Sequence, residues 1–295
     1  MRMRARLVES FITVLLTVLL GGWIAAALVR RSPGFGIDER VIDARYSQDS
    51  IRHIREEAKT SGRGVLPDYL RFLARATTGD LGISASFHRP VAALIAERFP
   101  ETMRSAGAGL ALGWTAGMLL GLVAAGLSRP LFDLAAGAAA SFFQCLPSSV
   151  LALAMVLAGG LGGRSAVAAV IALVIFPRVF RYARAILGRT AAAPHVLMAR
   201  AKGVGPLRLL WTHILQPSAA GILALLGVSV SVAFGAAIPV EVLCDWPGLG
   251  QLAWQAALKR DLPLLVDITL VVSLLTGISG LAADIAGRSP GSQPL

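Results

Sequence analysis

Charge is scarce in this 295-residue sequence: Asp, Glu, Lys and Arg make up 15% of it, against 55% apolar residues and a mean hydropathy of +0.68. A soluble domain carries about 25% charged residues. So little polar surface cannot cover a globule in water, and the composition implies a chain dissolved in a bilayer. Cysteine is nearly absent, with Cys145 and Cys244 in or beside apolar runs, which excludes a disulfide framework and the Cys/His spacing of a metal site. No Gly-rich P-loop occurs, no nucleophile elbow surrounds a serine, and His53, His88, His195 and His213 stand apart from carboxylates at ligand spacing. Nucleotide hydrolysis by this chain and an intramembrane hydrolase are therefore disfavoured, and neither a cofactor nor a metal is expected. The centres of the apolar runs are almost empty of charge, unlike a self-powered carrier with ionisable groups at mid-membrane. The net charge of +11 lies mostly in the flanks of those runs, as in a membrane protein with basic loops and not as in a nucleic-acid-binding domain.

What is present falls into six apolar runs. The first, Ser10 to Val29, follows three arginines; about 20 apolar residues match the hydrocarbon thickness, and the basic flank predicts a cytoplasmic N-terminus. Ala25 and Ala27 offer the rival reading of a cleaved signal peptide, although the run is long for one. Residues 1–30 thus form a tail and first span. Residues 31–101 are polar and read as an extracytoplasmic insert, with a helical pattern at Ile51 to Lys59. A tight turn follows at Gly79-Asp80-Leu81-Gly82. From Arg89 to Thr102, Val91, Leu94, Ile95 and Phe99 predict an amphipathic interfacial helix ended by Pro100.

Residues 102–288 read as a membrane core, with a tail at 289–295. Ser105 to Ser128 carries Gly107, Gly109, Gly113, Gly117 and Gly121, a stripe of small residues that favours close helix packing in lipid. Leu134 to Leu161 reads as a span with Pro147 inside it, permitting a kink. Ser165 to Phe176 is short, and Arg178, Arg181 and Arg184 on one face extend it toward the cytoplasmic interface as snorkelling charges. Ser218 to Val240 and Leu264 to Ile285 complete six spans with both termini inside, and Cys145 reads as packing.

Between the fourth and fifth runs lies a basic, glycine-broken loop, 188–217, centred on Ala199-Arg200-Ala201-Lys202-Gly203. Gly203 and Gly205 let the backbone turn, and Pro206 suits a first helical position. Leu207, Leu209, Leu210 and Trp211 predict an apolar face on the next helix, with Arg200, Lys202 and Arg208 supplying charge. Such a loop calls for a protein partner. On the opposite side, Glu241 to Pro263 is turn-rich. Glu241 and Asp261 are its candidates for an outer mouth that meets a cationic peptide terminus or a metal ion; the alternative for Glu241 is pairing with Lys259 or Arg260.

Taken together, Gly79-Asp80-Leu81-Gly82-Ile83-Ser84, Arg89-Pro90-Val91, Arg98-Phe99-Pro100-Glu101-Thr102, Ala199 to Gly203 with His213, Glu241-Val242-Leu243, Trp246-Pro247-Gly248-Leu249-Gly250 and Arg260-Asp261-Leu262-Pro263 resemble, in order and spacing, the permease subunits of dipeptide, oligopeptide and nickel ABC importers. The resemblance implies an all-α, polytopic type I importer fold with about six transmembrane helices in a bacterial inner membrane. It implies an "EAA"-type coupling loop at 195–217 bearing Ala199, Arg200, Ala201, Lys202, Gly203, Gly205, Leu210 and His213. Pore or outer-mouth candidates are Glu241, Trp246, Pro247, Gly248, Gly250 and Asp261. Implied partners are a second permease subunit forming a heterodimer, two ABC ATPase subunits that hydrolyse the ATP, and an extracytoplasmic solute-binding protein; the chain itself has no catalytic residue. The sequence departs from the family pattern at Pro194-His195 in place of Asp-Tyr, at Leu197 in place of the acid, at Gly221 in place of a proline, in an outer loop between the third and fourth spans cut to a few glycines, and at Arg288-Ser289-Pro290 in place of a C-terminal Asp-Pro-Arg. The cargo is left open among dipeptides, longer peptides, nickel or another metal chelate, and sugars. A self-contained secondary transporter or channel remains the alternative reading.

Overall fold

The structure, a computed structural model, describes residues 2–31, 65–76, 78–127, 130–159 and 162–287. The expected helix at Ile51 to Lys59, the centre of the glycine loop at 160–161 and the tail at 289–295 lie outside the described residues. Among the described residues the fold is all-α: α1 Arg2–Arg31, α2 Val65–Ala76, α3 Val91–Leu127, α4 Pro130–Cys145, α5 Ser148–Leu157, α6 Gly163–Ala191, α7 Pro194–Ala201, α8 Pro206–Leu243, α9 Leu249–Leu258 and α10 Leu262–Gly287. The one β contact among them is an isolated bridge between Ile83 and Pro90. Four helices are long and apolar enough to cross a bilayer, namely Val91–Gly126, Gly163–Ala191, Pro206–Leu243 and Leu262–Ala283; α4 with α5 makes a fifth if taken as one broken span, and the apolar part of α1, Ile12–Leu28, is shorter.

Three expectations are corrected. Pro100 does not end a helix, because α3 runs through it to Leu127. Proline removes one backbone hydrogen bond, a cost of about 3 kcal/mol. Burial of Val91, Leu94 and Ile95 before it and of Ala106 after it holds the helix on both sides and outweighs that cost. Pro147 does more than kink a span: α4 and α5 meet at 94°. Its extended backbone, φ −58 and ψ 143, places it as the N-cap of a new helix, and a residue preceding proline is itself driven out of helical geometry. Third, α6 runs on through Arg178, Arg181 and Arg184 to Ala191, with Arg189 in its last turn, so Arg178 and Arg181 lie along the helix and not at its end.

The chain forms two compact units, Met1–Leu15 with Arg98–Leu252 and Leu274–Leu295, and Leu16–Glu97 with Ala253–Ser273. In the first, α6 is central and packs against α4, α5 and α8, burying Val167, Val170, Ile171, Ile175 and Val179 in one apolar cluster. The glycine stripe of α3 faces it. A Cβ on Gly109, Gly113, Gly117 or Gly121 would meet α6 atoms at 2.6–2.9 Å, whereas Gly107 faces open space and is not part of the seam. In the second unit, Tyr69 of α2 is buried with Ala26 and Val266 and donates to the Leu19 carbonyl at 2.8 Å.

Candidate functional site

The loop read as a coupling element is a compact helix–turn–helix. Pro194 opens α7 at its first turn, where a missing N–H costs nothing. At its other end the Gly203 N–H reaches the Arg200 carbonyl at 2.9 Å and the Val204 N–H reaches the Ala199 carbonyl at 3.2 Å. Gly203 itself sits at φ +76. This is a Schellman cap, and the left-handed position is the reason for glycine there. Gly205 has no such need: at φ −61 and ψ 154 it is an ordinary extended residue ahead of Pro206, which starts α8 as expected. Val196 and Ala199 pack with Leu209, Ile214, Ala183 and Leu187, so α7 is bolted to the base of α6 and α8.

The opening of α8 is π-helical over Leu209–Leu215, just before Pro217. A proline cannot donate to the carbonyl four residues earlier, here that of His213. His195 Nε2 stands 3.1 Å from that carbonyl, so its N–H tautomer satisfies the group that Pro217 leaves open. The residues standing at the family's usual Asp-Tyr, Pro194 and His195, thus have local roles in this chain, as an N1 proline and as a side-chain donor.

Outward, the loop is apolar and basic. Leu207, Trp211, Met198 and Leu197 are 74%, 68%, 62% and 56% exposed, and Arg200, Ala201, Lys202 and Arg208 are exposed beside them. The expected single face of Leu207, Leu209, Leu210 and Trp211 is therefore split. Leu207 and Trp211, four residues apart, point out; Leu209 is buried and Leu210 and His213 are half-buried, because residues at i and i+2 cannot share a helix face.

The candidates for an outer mouth are placed differently from that expectation. Glu241 is fully buried, with Oε1 accepting from Thr102 Oγ1 at 2.8 Å and Oε2 from the Gly250 N–H at 2.7 Å. Thr102 Oγ1 in turn accepts from the Leu249 N–H at 2.7 Å. Leu249 and Gly250 are the first residues of α9, so the carboxylate and the hydroxyl together satisfy its free N-terminal donors. Glycine is required around it. A Cβ on Gly248 would collide with the Glu241 carboxylate, and one on Gly250 would press on Ile238 and Ala237 of α8. Trp246 packs into the core beside α6, its ring 3.0 Å from where a Gly163 Cβ would stand, and Pro247 is half-buried.

Asp261 is also fully buried. Its Oδ2 accepts from Ser84 Oγ at 2.5 Å and from the Ser86 N–H and Oγ at 2.9 and 2.8 Å, while Oδ1 accepts from the Leu264 N–H at 3.3 Å in the first turn of α10. Burial pushes its pKa up, but the hydrogen bonds from Ser84, Ser86 and Leu264 outweigh burial and hold it below the ordinary 3.8. Asp261 is thus an N-cap that also fastens the turn from Gly79 to Val91. That turn is shaped by positive φ at Gly79 and Gly82 and by the Gly82 N–H on Asp80 Oδ1 at 2.9 Å. The alternative partner of Glu241, Lys259, lies 4.4 Å over the Phe87 ring. Neither carboxylate is open to a solute in this chain, and Cys145 is exposed, not packed. No cluster of three metal-ligating side chains occurs among the described residues. The roles of Thr102 and Ser84 had no signature in the sequence beyond membership of the Pro-Glu-Thr and Leu-Gly-Ile-Ser stretches, and Ser86 lies outside both.

Over residues 117–289 the chain matches the family described as the binding-protein-dependent transport system inner membrane component. The chain belongs to that family. Individual relatives agree. A protein named as a peptide permease in Brucella suis biovar 1 is 28% identical over 242 residues, covering 74% of this chain and 76% of its own. A peptide transport system permease protein of Brucella abortus strain 2308 is 28% identical over 227 residues, 70% of this chain and 72% of its own. A metal-staphylopine import system permease of Staphylococcus aureus is 28% identical over 235 residues, 75% of each chain. The chain is a multi-pass membrane subunit of an ABC-type, binding-protein-dependent importer, as its sequence motifs imply.

Proposed function

We propose that this subunit forms half of a translocation pore and couples it to ATP hydrolysis through the loop at 195–217. The observation that carries the reading is the exposed pair Leu207 and Trp211, with Leu197 and Met198, on a helix–turn–helix ringed by Arg200, Lys202 and Arg208. An apolar centre with a charged rim is the composition of a protein-docking surface. Because Val196, Ala199 and His195 tie α7 to the start of α8, a push on that surface moves the base of the spans as one body. ATP-driven closure of two docked ATPase subunits would then rock the pore between inward-facing and outward-facing states.

The rest of the assembly follows the family: a second, homologous permease, two ATPases on the cytoplasmic face and an extracytoplasmic binding protein, with both termini of this chain in the cytoplasm. The arginines preceding α1 and those of the 188–217 loop support that orientation. The names of the Brucella and Staphylococcus relatives support a small peptide or a metal chelate as cargo.

Co-purification from membranes of the tagged chain with its ATPase tests the reading. The wild type is expected to retain the ATPase and Arg200→Glu with Leu207→Asp to lose it, with the mutant still folded by its thermal transition. Equal retention by both would move the docking site elsewhere. Absence of any ATPase with the wild type would favour a self-contained carrier.

A further inference from the structure

Helix α6 is 29 residues long, Gly163–Ala191, and a bilayer core takes about 20 of them. Every 20-residue stretch of α6 contains both Arg178 and Arg181. Counted along the axis, Arg178 is about 22 Å from one end of the helix and about 20 Å from the other. Neither arginine has a carboxylate partner among the described residues. Arg181 donates to Gln144 Oε1 at 2.8 Å, and half-buried Arg178 has no hydrogen bond or ion pair at all among them. An arginine at membrane depth without a counter-charge is costly unless it faces water or an anion.

The surroundings supply the place. Two neighbouring cavities of about 250 and 330 Å³ share Gln144 and Arg178; one adds Ser148 and Gly235, the other Arg181 and Tyr182. Both lie at the 94° break between α4 and α5. Non-helical backbone at membrane depth is tolerated only inside protein or beside a water-filled space, and Pro147 and Cys145 at the break are exposed. Interrupted helices with polar groups at their break are also where membrane transporters hold their solutes. α4, α5, α6 and α8, which wall the cavities, belong to one compact unit.

We infer that this cavity is a station on the solute path that binds a carboxylate of the cargo, with Arg178 as the principal charge and Arg181, oriented by Gln144, as the second. Two guanidiniums and no acid select an anionic oxygen group, and a guanidinium fork fits a carboxylate in two hydrogen bonds. The inference rests on the importer reading and narrows its cargo: a solute with a free carboxylate, as a short peptide or a carboxylate-bearing metal chelate has, passes here, and its amidated analogue does not engage. A lipid phosphate offers similar oxygens, so the two sources must be separated by experiment.

The test uses the purified full chain in phosphatidylcholine nanodiscs, with phenylglyoxal modification of Arg178 and Arg181 followed by mass spectrometry. Both arginines are expected to react, which requires water at that depth. Trialanine or nickel–nitrilotriacetate at about ten times its Kd should slow modification about tenfold by occupancy, and trialanine amide should not. Arg178→Gln should abolish the protection seen at Arg181, and Arg178→Lys should keep part of it. Unreactive arginines, equal protection by the amide, protection by neither carboxylate probe, or protection given only by adding phosphatidylglycerol to the nanodisc would each overturn the assignment. If the ATPase still co-purifies with the chain in those cases, this inference falls and the importer reading stands.

Discussion

Glu241 and Asp261 are two acids in one turn-rich segment that solve the same problem with different means. Each is fully buried, each satisfies the first N–H groups of a helix, and each belongs to a Schellman cap whose left-handed position is not glycine: Asp245 at φ 48, four residues after Glu241, and Arg260 at φ 54, directly before Asp261. Glu241 lies three residues before its cap residue Cys244 and reaches forward to α9 with one backbone donor and one hydroxyl, against glycines that leave no room. Asp261 stands between α9 and α10 and gathers four donors, two of them on half-buried Ser86. A buried acid in a membrane protein is therefore not by itself a solute ligand; the count and origin of its donors decide.

The comparison can be broken from either side. Glu241→Ala removes a buried carboxylate from two wholly buried donors and leaves a cavity, and should cost about 4 kcal/mol, read as a lowered midpoint of thermal unfolding in detergent. Asp261→Ala should cost less, about 3 kcal/mol, because the Ser86 donors can recover water. The pH dependence follows from the sign of its shift. A carboxyl held below its ordinary 3.8 stabilises fully above that range and loses its contribution as pH falls through the depressed native value. Ser84→Ala removes the donor to Asp261 and the acceptor of the Phe87 N–H, so it should cost about 2 kcal/mol and move the acid limb of a stability–pH curve upward. At the small end, Gly203→Ala should cost about 1 kcal/mol while Gly205→Ala is neutral, and Arg260→Gly should gain up to about 1 kcal/mol by relieving its left-handed backbone. A neutral Gly203→Ala would remove the Schellman reading of the loop.

Local features were legible in the sequence where the cause is local. Gly203 reads as a place where the backbone turns, Pro206 as a helix start, and the glycine spacing of α3 as a packing seam, since each depends on neighbours within a turn or on periodicity. The long-range partners were not. Thr102 and Glu241 are 139 residues apart, and Ser84 and Asp261 are 177 apart, so the carboxylates looked like free charges at a pore mouth. Pro100 and Pro147 show a second limit. Their local chemistry is the same, yet one sits inside α3 and the other separates two helices at 94°, because burial on both sides of Pro100 holds the helix together and the backbone at Pro147 is extended and exposed.

The π-helical stretch before Pro217 carries a consequence for the phase of the molecule. An α-helix advances about 100° per residue, so the extra residue accommodated in each wide turn over Leu209–Leu215 sets the compass bearing of Leu207 and Trp211 relative to the span below. Deleting one residue from that stretch would let α8 close into an ordinary helix and swing the outward-facing pair by about 100°. The loop would keep its composition, its charges and its caps, and aim them in the wrong direction.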